Sequence, residues 1–235
     1  SLFTMSEYEI MSQLTSNTFT GDVNKLFMNS AKKGHVGVVK LLLKDPRVDP
    51  GADNNYAIKW ASRNGHVEIV ELLLKDPRVD PSVDDNYAIK WAADNGHVEL
   101  VELLLKDPRV DPGVDDNTAI GYAAENGHVE IVELLLNDPR VTPDTRDNYA
   151  IERASQNGHV EVVELLLNAL KHRFNIAKYT EILAEVDESP SEILPEIKEL
   201  LIDHIIKHQW IIKTFINQHL TTDLASQINH FIITN

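Results

Sequence analysis

The dipeptide Gly-His recurs at Gly34-His35, Gly65-His66, Gly96-His97, Gly127-His128 and Gly158-His159, with 31 residues between successive copies each time. Five occurrences in one register are beyond chance, and the register carries more than the dipeptide. Ala57-Ile58, Ala88-Ile89, Ala119-Ile120 and Ala150-Ile151 keep it, with Leu26-Phe27 in the first copy. So do the leucine triplets at 41–43, 72–74, 103–105, 134–136 and 165–167. A period of this length marks a stack of small units. One unit buries too little apolar surface to outweigh its own conformational entropy, so its neighbours must complete the core. The length of 235 residues therefore counts repeats and ends, not domains.

Local signals divide each unit into two short helices. In the second copy the first helix is predicted over Tyr56 to Asn64, where Asn64-Gly65 supplies residues able to take positive φ and close its C-terminus. The second, Val67 to Lys75, is apolar at 67, 69, 70, 72, 73 and 74 and charged only at Glu68, Glu71 and Lys75. Such a helix is buried on most of its circumference and wet along one stripe. Glu71 and Lys75 stand four apart in the favourable order for a surface pair. Asp76-Pro77 ends the helix, because proline disfavours helical backbone in the residue before it. Asp-Pro-Arg itself recurs, at Asp45 to Arg47, Asp76 to Arg78, Asp107 to Arg109 and Asp138 to Arg140. That constancy predicts structural ion pairs or hydrogen bonds in the connecting loops, not a binding site.

The run from Asn117 to Leu136, Asn-Thr-Ala-Ile-Gly-Tyr-Ala-Ala-Glu-Asn-Gly-His-Val-Glu-Ile-Val-Glu-Leu-Leu-Leu, resembles the ankyrin repeat, whose pattern is G-x-T-P-L-H-x-A-A-x-x-G-H-x-E-I-V-x-L-L-L. The resemblance covers residues 24–168. It implies an all-α fold: an ankyrin-type helix-turn-helix solenoid with shortened inter-repeat loops and a helical C-terminal cap region. The organisation expected from it is a capping segment at 1–23, five repeats at 24–168 and a helical region at 169–235. Three departures stand out. Alanine replaces the usual proline, and Lys, Gly or Glu the usual histidine, of the T-P-L-H motif. The connector Lys75-Asp76-Pro77-Arg78-Val79-Asp80-Pro81 replaces the usual loop, and the period is 31 against the family's 33. A shortened hairpin finger is the expected consequence.

The resemblance also implies a non-catalytic scaffold that binds another protein on its concave face. Positions that differ among copies in one register are free of the common structural duty, and they cluster on the first helix. One holds Met28, Lys59, Lys90, Gly121 and Glu152; the next holds Asn29, Trp60, Trp91, Tyr122 and Arg153; three residues on come Lys32, Arg63, Asp94, Glu125 and Gln156. The candidate partner-binding residues are Lys59, Trp60, Arg63, Lys90, Trp91, Asp94, Tyr122, Glu125 and Arg153. At ~10 Å per unit, Trp60, Trp91 and Tyr122 form an aromatic row of roughly 20 Å, a composition common among interface anchors. The alternative is that these rings pack between repeats.

Charge bounds the partner. With 22 Lys+Arg against 37 Asp+Glu the net charge is -15. A surface so acidic repels phosphate backbones and anionic membranes, so neither nucleic acid nor membrane is an expected partner. The charge is uneven: residues 24–50 carry +4, and the blocks 51–81, 82–112, 113–143 and 144–168 carry -1, -4, -5 and -3. A partner with a basic segment is expected to meet the third and fourth repeats.

No cofactor and no catalytic site are expected. With no cysteine, disulfides and thiolate-bound metals are excluded. The repeated histidines stand one per unit, ~10 Å apart, too far to share an ion with ligands at ~2 Å. His204 and His208 are four apart but lack the Glu of H-E-x-x-H. G-x-x-x-x-G-K-[ST], G-x-G-x-x-G and G-x-S-x-G do not occur. Ser1 to Ile10 has no basic start followed by an apolar stretch, and no run of about 18 uncharged apolar residues follows. The chain therefore reads as intracellular, cytoplasmic or nuclear, with Met5 as the natural start.

At the ends, Ser6 and Glu9 have capping-box spacing for a short N-terminal helix. Ser189-Pro190-Ser191-Glu192 has it too, opening an amphipathic stretch over Ile193 to Leu220 that is expected to break near His208-Gln209. This region reads as a helical cap on the fifth repeat. The alternatives are a second contact surface or a homodimer contact. Leu194-Pro195-Glu196-Ile197 also resembles, weakly, the start of an F-box, without the spacer between Pro and Glu, which implies a ubiquitin-ligase adaptor as a competing function.

Overall fold

The computed structural model describes residues 6–16, 18–142, 149–169 and 195–204. Helix α1 (Glu7–Thr15) is followed by five helix pairs. These are α2 (Val23–Lys33) with α3 (Val36–Leu42), α4 (Ala52–Arg63) with α5 (Val67–Leu74), α6 (Val83–Asp94) with α7 (Val98–Leu105), α8 (Val114–Glu125) with α9 (Val129–Leu136), and α10 (Tyr149–Gln156) with α11 (Val160–Ala169). A further helix, α12, spans residues 195–204. The described residues hold no strand, so the connectors are turns and no hairpin finger projects.

Two layers result. The first helices of the pairs stack on one another from α2 to α10, and the second helices from α3 to α11. Each pair also packs internally. One apolar core runs between the layers: Ala57, Ile58 and Ala61 from α4 meet Ile69, Val70 and Leu73 from α5, all 0% exposed, and the other copies repeat the set. Alanine at 61, 92 and 123 keeps the first helices slender at this seam, while the second helices supply the bulk.

The predicted boundaries hold to within a residue, with one addition. α4, α6 and α8 each open on three consecutive residues in the left-handed region: Asp53, Asn54 and Asn55; Asp84, Asp85 and Asn86; Asp115, Asp116 and Asn117, with φ between 50 and 60°. Regular helix starts only after them, at Tyr56, Tyr87 and Thr118. Asp and Asn are the side-chain-bearing residues that tolerate this backbone best. The last residue of each triplet is buried and anchors the next connector: the Asn55 Oδ1 accepts the Asp80 N–H at 2.8 Å, and Asn86 accepts the Asp111 N–H at 2.8 Å. Asn24 and Asn117 accept from Asp49 and Thr142 in the same way.

The Gly-His dipeptide joins neighbouring pairs. Gly65 closes α4 at φ +74, and a Cβ on it would stand 2.8 Å from the His97 ring of the next pair. That ring lies over the glycine and its Nε2 bonds the Arg63 carbonyl at 3.0 Å; since a carbonyl can only accept, Nε2 carries the proton. The same contact links His66 to Lys32, His128 to Asp94 and His159 to Glu125, each at 3.0 Å. His35, in the first copy, makes no such bond among the described residues, and its Nδ1 is buried without a partner.

Asp-Pro-Arg does what its constancy implied and one thing more. Arg78, Arg109 and Arg140 each pair with the aspartate two residues earlier at 2.6 Å. The same guanidinium reaches back one copy, from Arg109 Nη1 to the Val79 carbonyl at 2.9 Å, from Arg78 to Val48 and from Arg140 to Val110. The ion pair in the loop thus holds a staple between repeats. Hydrogen bonding from the arginine side chain lowers the pKa of Asp76, Asp107 and Asp138 below the ordinary carboxylate value, and that of Asp45, beside Arg47, to about 2.

At the N-terminal end the Ser6–Glu9 capping box is formed in both directions, and α1 lies on α3 with Ile10 buried. It extends the second layer. At the other end Ile197 and Leu201 of α12, both 0% exposed, belong to the same core. The expected capping box at residues 189–192, the break near residue 208 and the pair partner His208 lie outside the described residues.

Two outcomes test this architecture. Asn86→Ala loses the bond to Asp111 and places alanine in the left-handed region, and is expected to cost about 2 kcal/mol in urea unfolding. Asn86→Gly, which keeps the backbone freedom, is expected to cost about half of that. The aspartates set the acid response. A carboxylate whose folded pKa lies below its unfolded value of about 3.9 adds stability that is complete above that value and lost as the pH falls through the folded one. The unfolding midpoint should therefore drop between pH 4 and pH 2, and Asp107→Asn, less stable at pH 7, should show a shallower drop; equal slopes would refute the assignment.

Candidate functional site

The first-helix layer carries the cross-copy variation, and its side chains interlock between copies. Tyr56 and Trp60 of α4 lie 5.7 Å apart between ring centroids, and Tyr87 and Trp91 of α6 lie 5.5 Å apart. Trp91 meets Tyr122 of α8 at 6.1 Å with the planes 45° apart. These tilted pairs fall in the favourable range for aromatic contacts. The i,i+4 spacing of Tyr56 with Trp60 and of Tyr87 with Trp91 puts both rings on one helix face.

Cations fill the gaps between rings. The Lys32 ammonium of α2 sits 4.1 Å from the Trp60 ring centroid. The Arg63 guanidinium lies 5.2 Å from Trp60 and 4.3 Å from Trp91, sandwiched between indoles of successive copies. A planar guanidinium suits such a slot, because its faces stack on the rings while its N–H edge stays outward. Lys32, Trp60, Arg63, Trp91 and Tyr122 thus form one ladder across four helices. The rings are half-buried, so they both pack between repeats and present an edge to solvent.

The ladder changes character beyond Trp91. The places of Lys32 and Arg63 are taken by Asp94 and Glu125. Asp94 accepts from the Asn126 amide at 3.1 Å, and Glu125 from the Tyr149 hydroxyl at 3.4 Å. Neither has a cation within ion-pair distance among the described residues. Burial raises the Tyr122 phenol, with Tyr149, Asp94, Asp115 and Glu125 adding to the effect, which is the mark of a negative local field. Gly121 makes room for the Tyr149 ring, which a Cβ there would meet at 2.8 Å, and the Arg153 guanidinium closes the series 5.0 Å from that ring.

Of the candidates read from sequence, Trp60, Arg63, Trp91, Asp94, Tyr122, Glu125 and Arg153 belong to this series. Lys59 and Lys90 serve the stack instead, although the Lys59 ammonium also lies 5.7 Å from the Tyr87 ring centroid. Their side chains are only 14% and 13% exposed and pair with Asp84 and Asp115 of the following copies at 2.6 and 3.5 Å. They hold adjacent repeats together, and the Lys59 bond lowers the Asp84 pKa. Sequence reasoning passed over Lys32 as a member of the ladder, and over Tyr56, Tyr87 and Tyr149; the four-residue spacing to Trp60, Trp91 and Arg153 was the available signal. No group of three or more potential metal ligands occurs among the described residues, and no helix among them is long and apolar enough to cross a membrane.

Comparison with known proteins agrees with this architecture. No curated protein matches the chain. A family model described as ankyrin repeats (3 copies) matches residues 5–85, 27–114 and 89–178. Ankyrin repeats are general protein–protein interaction modules and typically non-catalytic. With matches across residues 5–178 and stacked helix pairs among the described residues of that span, the chain belongs to the ankyrin-repeat family.

Proposed function

We propose that this protein is a non-catalytic scaffold that recognises a partner protein on the concave face of its solenoid, formed by the first helices α2 to α10. The observation that carries the reading is the ladder of half-buried rings and stacked cations. It lies on the layer where the copies differ, whereas the residues that every copy shares are occupied in holding the stack together. A structural role alone calls for repetition, yet at Trp60, Trp91, Tyr122 and Arg153, and at Arg63, Asp94 and Glu125, the stack is deliberately uneven in size and charge. Aromatic residues with flanking arginine are the typical anchors of protein interfaces.

Charge supports the same face. The negative field around Asp94, Tyr122 and Glu125 favours docking of a basic segment at the third and fourth repeats. For the C-terminal region, burial of Ile197 and Leu201 in the common core supports the cap reading over an F-box-like adaptor or homodimer contact, both of which need that apolar face exposed.

The test compares the full chain with its Trp60→Ala/Trp91→Ala variant in affinity capture followed by mass spectrometry, with the affinity of the recovered partner then measured for both. Loss of two central anchors is expected to weaken binding by at least about tenfold. A variant that melts at lower temperature but keeps full affinity makes the rings core only, and the concave face is then not the binding surface.

A further inference from the structure

The ladder row has a polarity that goes beyond partner binding in general. In one register position, one residue per copy, it reads Lys32, Arg63, Asp94, Glu125 and Gln156. The sign changes once, at Trp91, and each half is chemically unspent. Among the described residues Lys32 and Arg63 have no carboxylate within ion-pair distance and their side chains make no hydrogen bond; the Lys32 ammonium sits over Trp60, and the Arg63 guanidinium over Trp60 and Trp91. A stacked guanidinium loses hydration on both faces and keeps its in-plane N–H groups for a carboxylate, which they meet in bidentate fashion. Among the described residues Asp94 and Glu125 accept only from neutral donors, so no described cation compensates their charges.

This contrasts with the cations that hold neighbouring repeats together. Lys59, Lys90, Arg78, Arg109 and Arg140 are all bound to an aspartate within the stack. Pairing is the rule where a charge has a structural duty, and the row through Lys32 and Glu125 departs from it on the one face that also carries the aromatic edges.

Resting on the concave-face reading, we propose that the partner presents a peptide segment of split charge, its acidic residues on Lys32 and Arg63, its basic residues on Asp94 and Glu125, and an apolar stretch between them over Trp91. At ~10 Å per repeat the two charged pairs are centred roughly 20 Å apart, about six residues of extended chain. A single-stranded nucleic acid suits the first half of the row, where bases stack and phosphates find cations, but the second half repels a continuing phosphate backbone.

The probes are labelled synthetic peptides of about 14 residues, long enough to cross four repeats at ~3.3 Å per residue. They share one composition: glutamates at one end and lysines at the other, the same peptide written in reverse, and an alternating Glu/Lys isomer. A single-stranded oligonucleotide of similar length is the fourth. By fluorescence anisotropy with the full chain, one direction of the split-charge peptide is expected to bind about tenfold tighter than the alternating isomer, an advantage that shrinks as salt is raised. Arg63→Gln and Asp94→Asn, each confirmed as folded by its melting transition, are expected to abolish the advantage. Equal binding of the isomers, absence of binding by every peptide, an advantage that survives both variants, or tighter binding of the oligonucleotide overturns the proposal. If those results coincide with a partner that is lost on Trp60→Ala/Trp91→Ala, the concave face stands and only the charge assignment falls.

Discussion

Everything in this solenoid depends on how one repeat is fastened to the next, and the central fastening is the histidine that lies across the glycine of the preceding copy. Gly65 serves two needs at once: its backbone turns at φ +74 to end α4, and its missing side chain leaves the space taken by the His97 ring. The imidazole then satisfies the Arg63 carbonyl, one of the backbone acceptors that the end of α4 leaves without an intrahelical partner. A cap made by a neighbour instead of by the helix itself couples the formation of each repeat to the next. That coupling is the physical basis of stability in a stack whose single units cannot fold alone.

The arginine staple adds a second fastening on the opposite side of each pair. Its logic is positional: the aspartate two residues earlier fixes the guanidinium, so little further ordering is needed for Nη1 to reach the carbonyl of the previous connector. Lys59 with Asp84 and Lys90 with Asp115 form a third, and the buried asparagines tie each helix start to the connector that leaves its own repeat. With the stack held by these elements and by the apolar seam, the ladder residues are released from purely structural service. Trp60, Trp91 and Tyr122 still bury part of their rings between copies, but their replacement from copy to copy shows that the stack does not demand one ring type there.

Much of this was legible in the chain. The period, the two helices per unit, the glycine closure, the capping box at Ser6 and the positions that vary between copies all follow from local patterns in the chain. Other features were not, because they join residues far apart in sequence. Lys59 and Lys90 vary among copies as a binding residue would, yet their partners, Asp84 and Asp115, stand 25 residues on, and only stacking shows that the pairs meet. Likewise the triplets at Asp53, Asp84 and Asp115 look like ordinary helix-capping residues. Their left-handed backbone is selected by the connector to which Asn55, Asn86 and Asn117 must bond.

By itself, then, the sequence determined the repeat unit and its register, since hydrophobic period, glycine position and proline stops act within a few residues and need no knowledge of the rest. It also determined the uneven distribution of charge along the chain. The tertiary structure alone decided which of those charges are used up. Stacking at one repeat's distance places Arg63 between two indoles with no described carboxylate paired to it, places Lys59 on an aspartate, and leaves Asp94 and Glu125 without an ion pair among the described residues. Whether a charge is available to a partner is a question of distance across the stack, and distance across the stack is set by the packed helices, not by the chain.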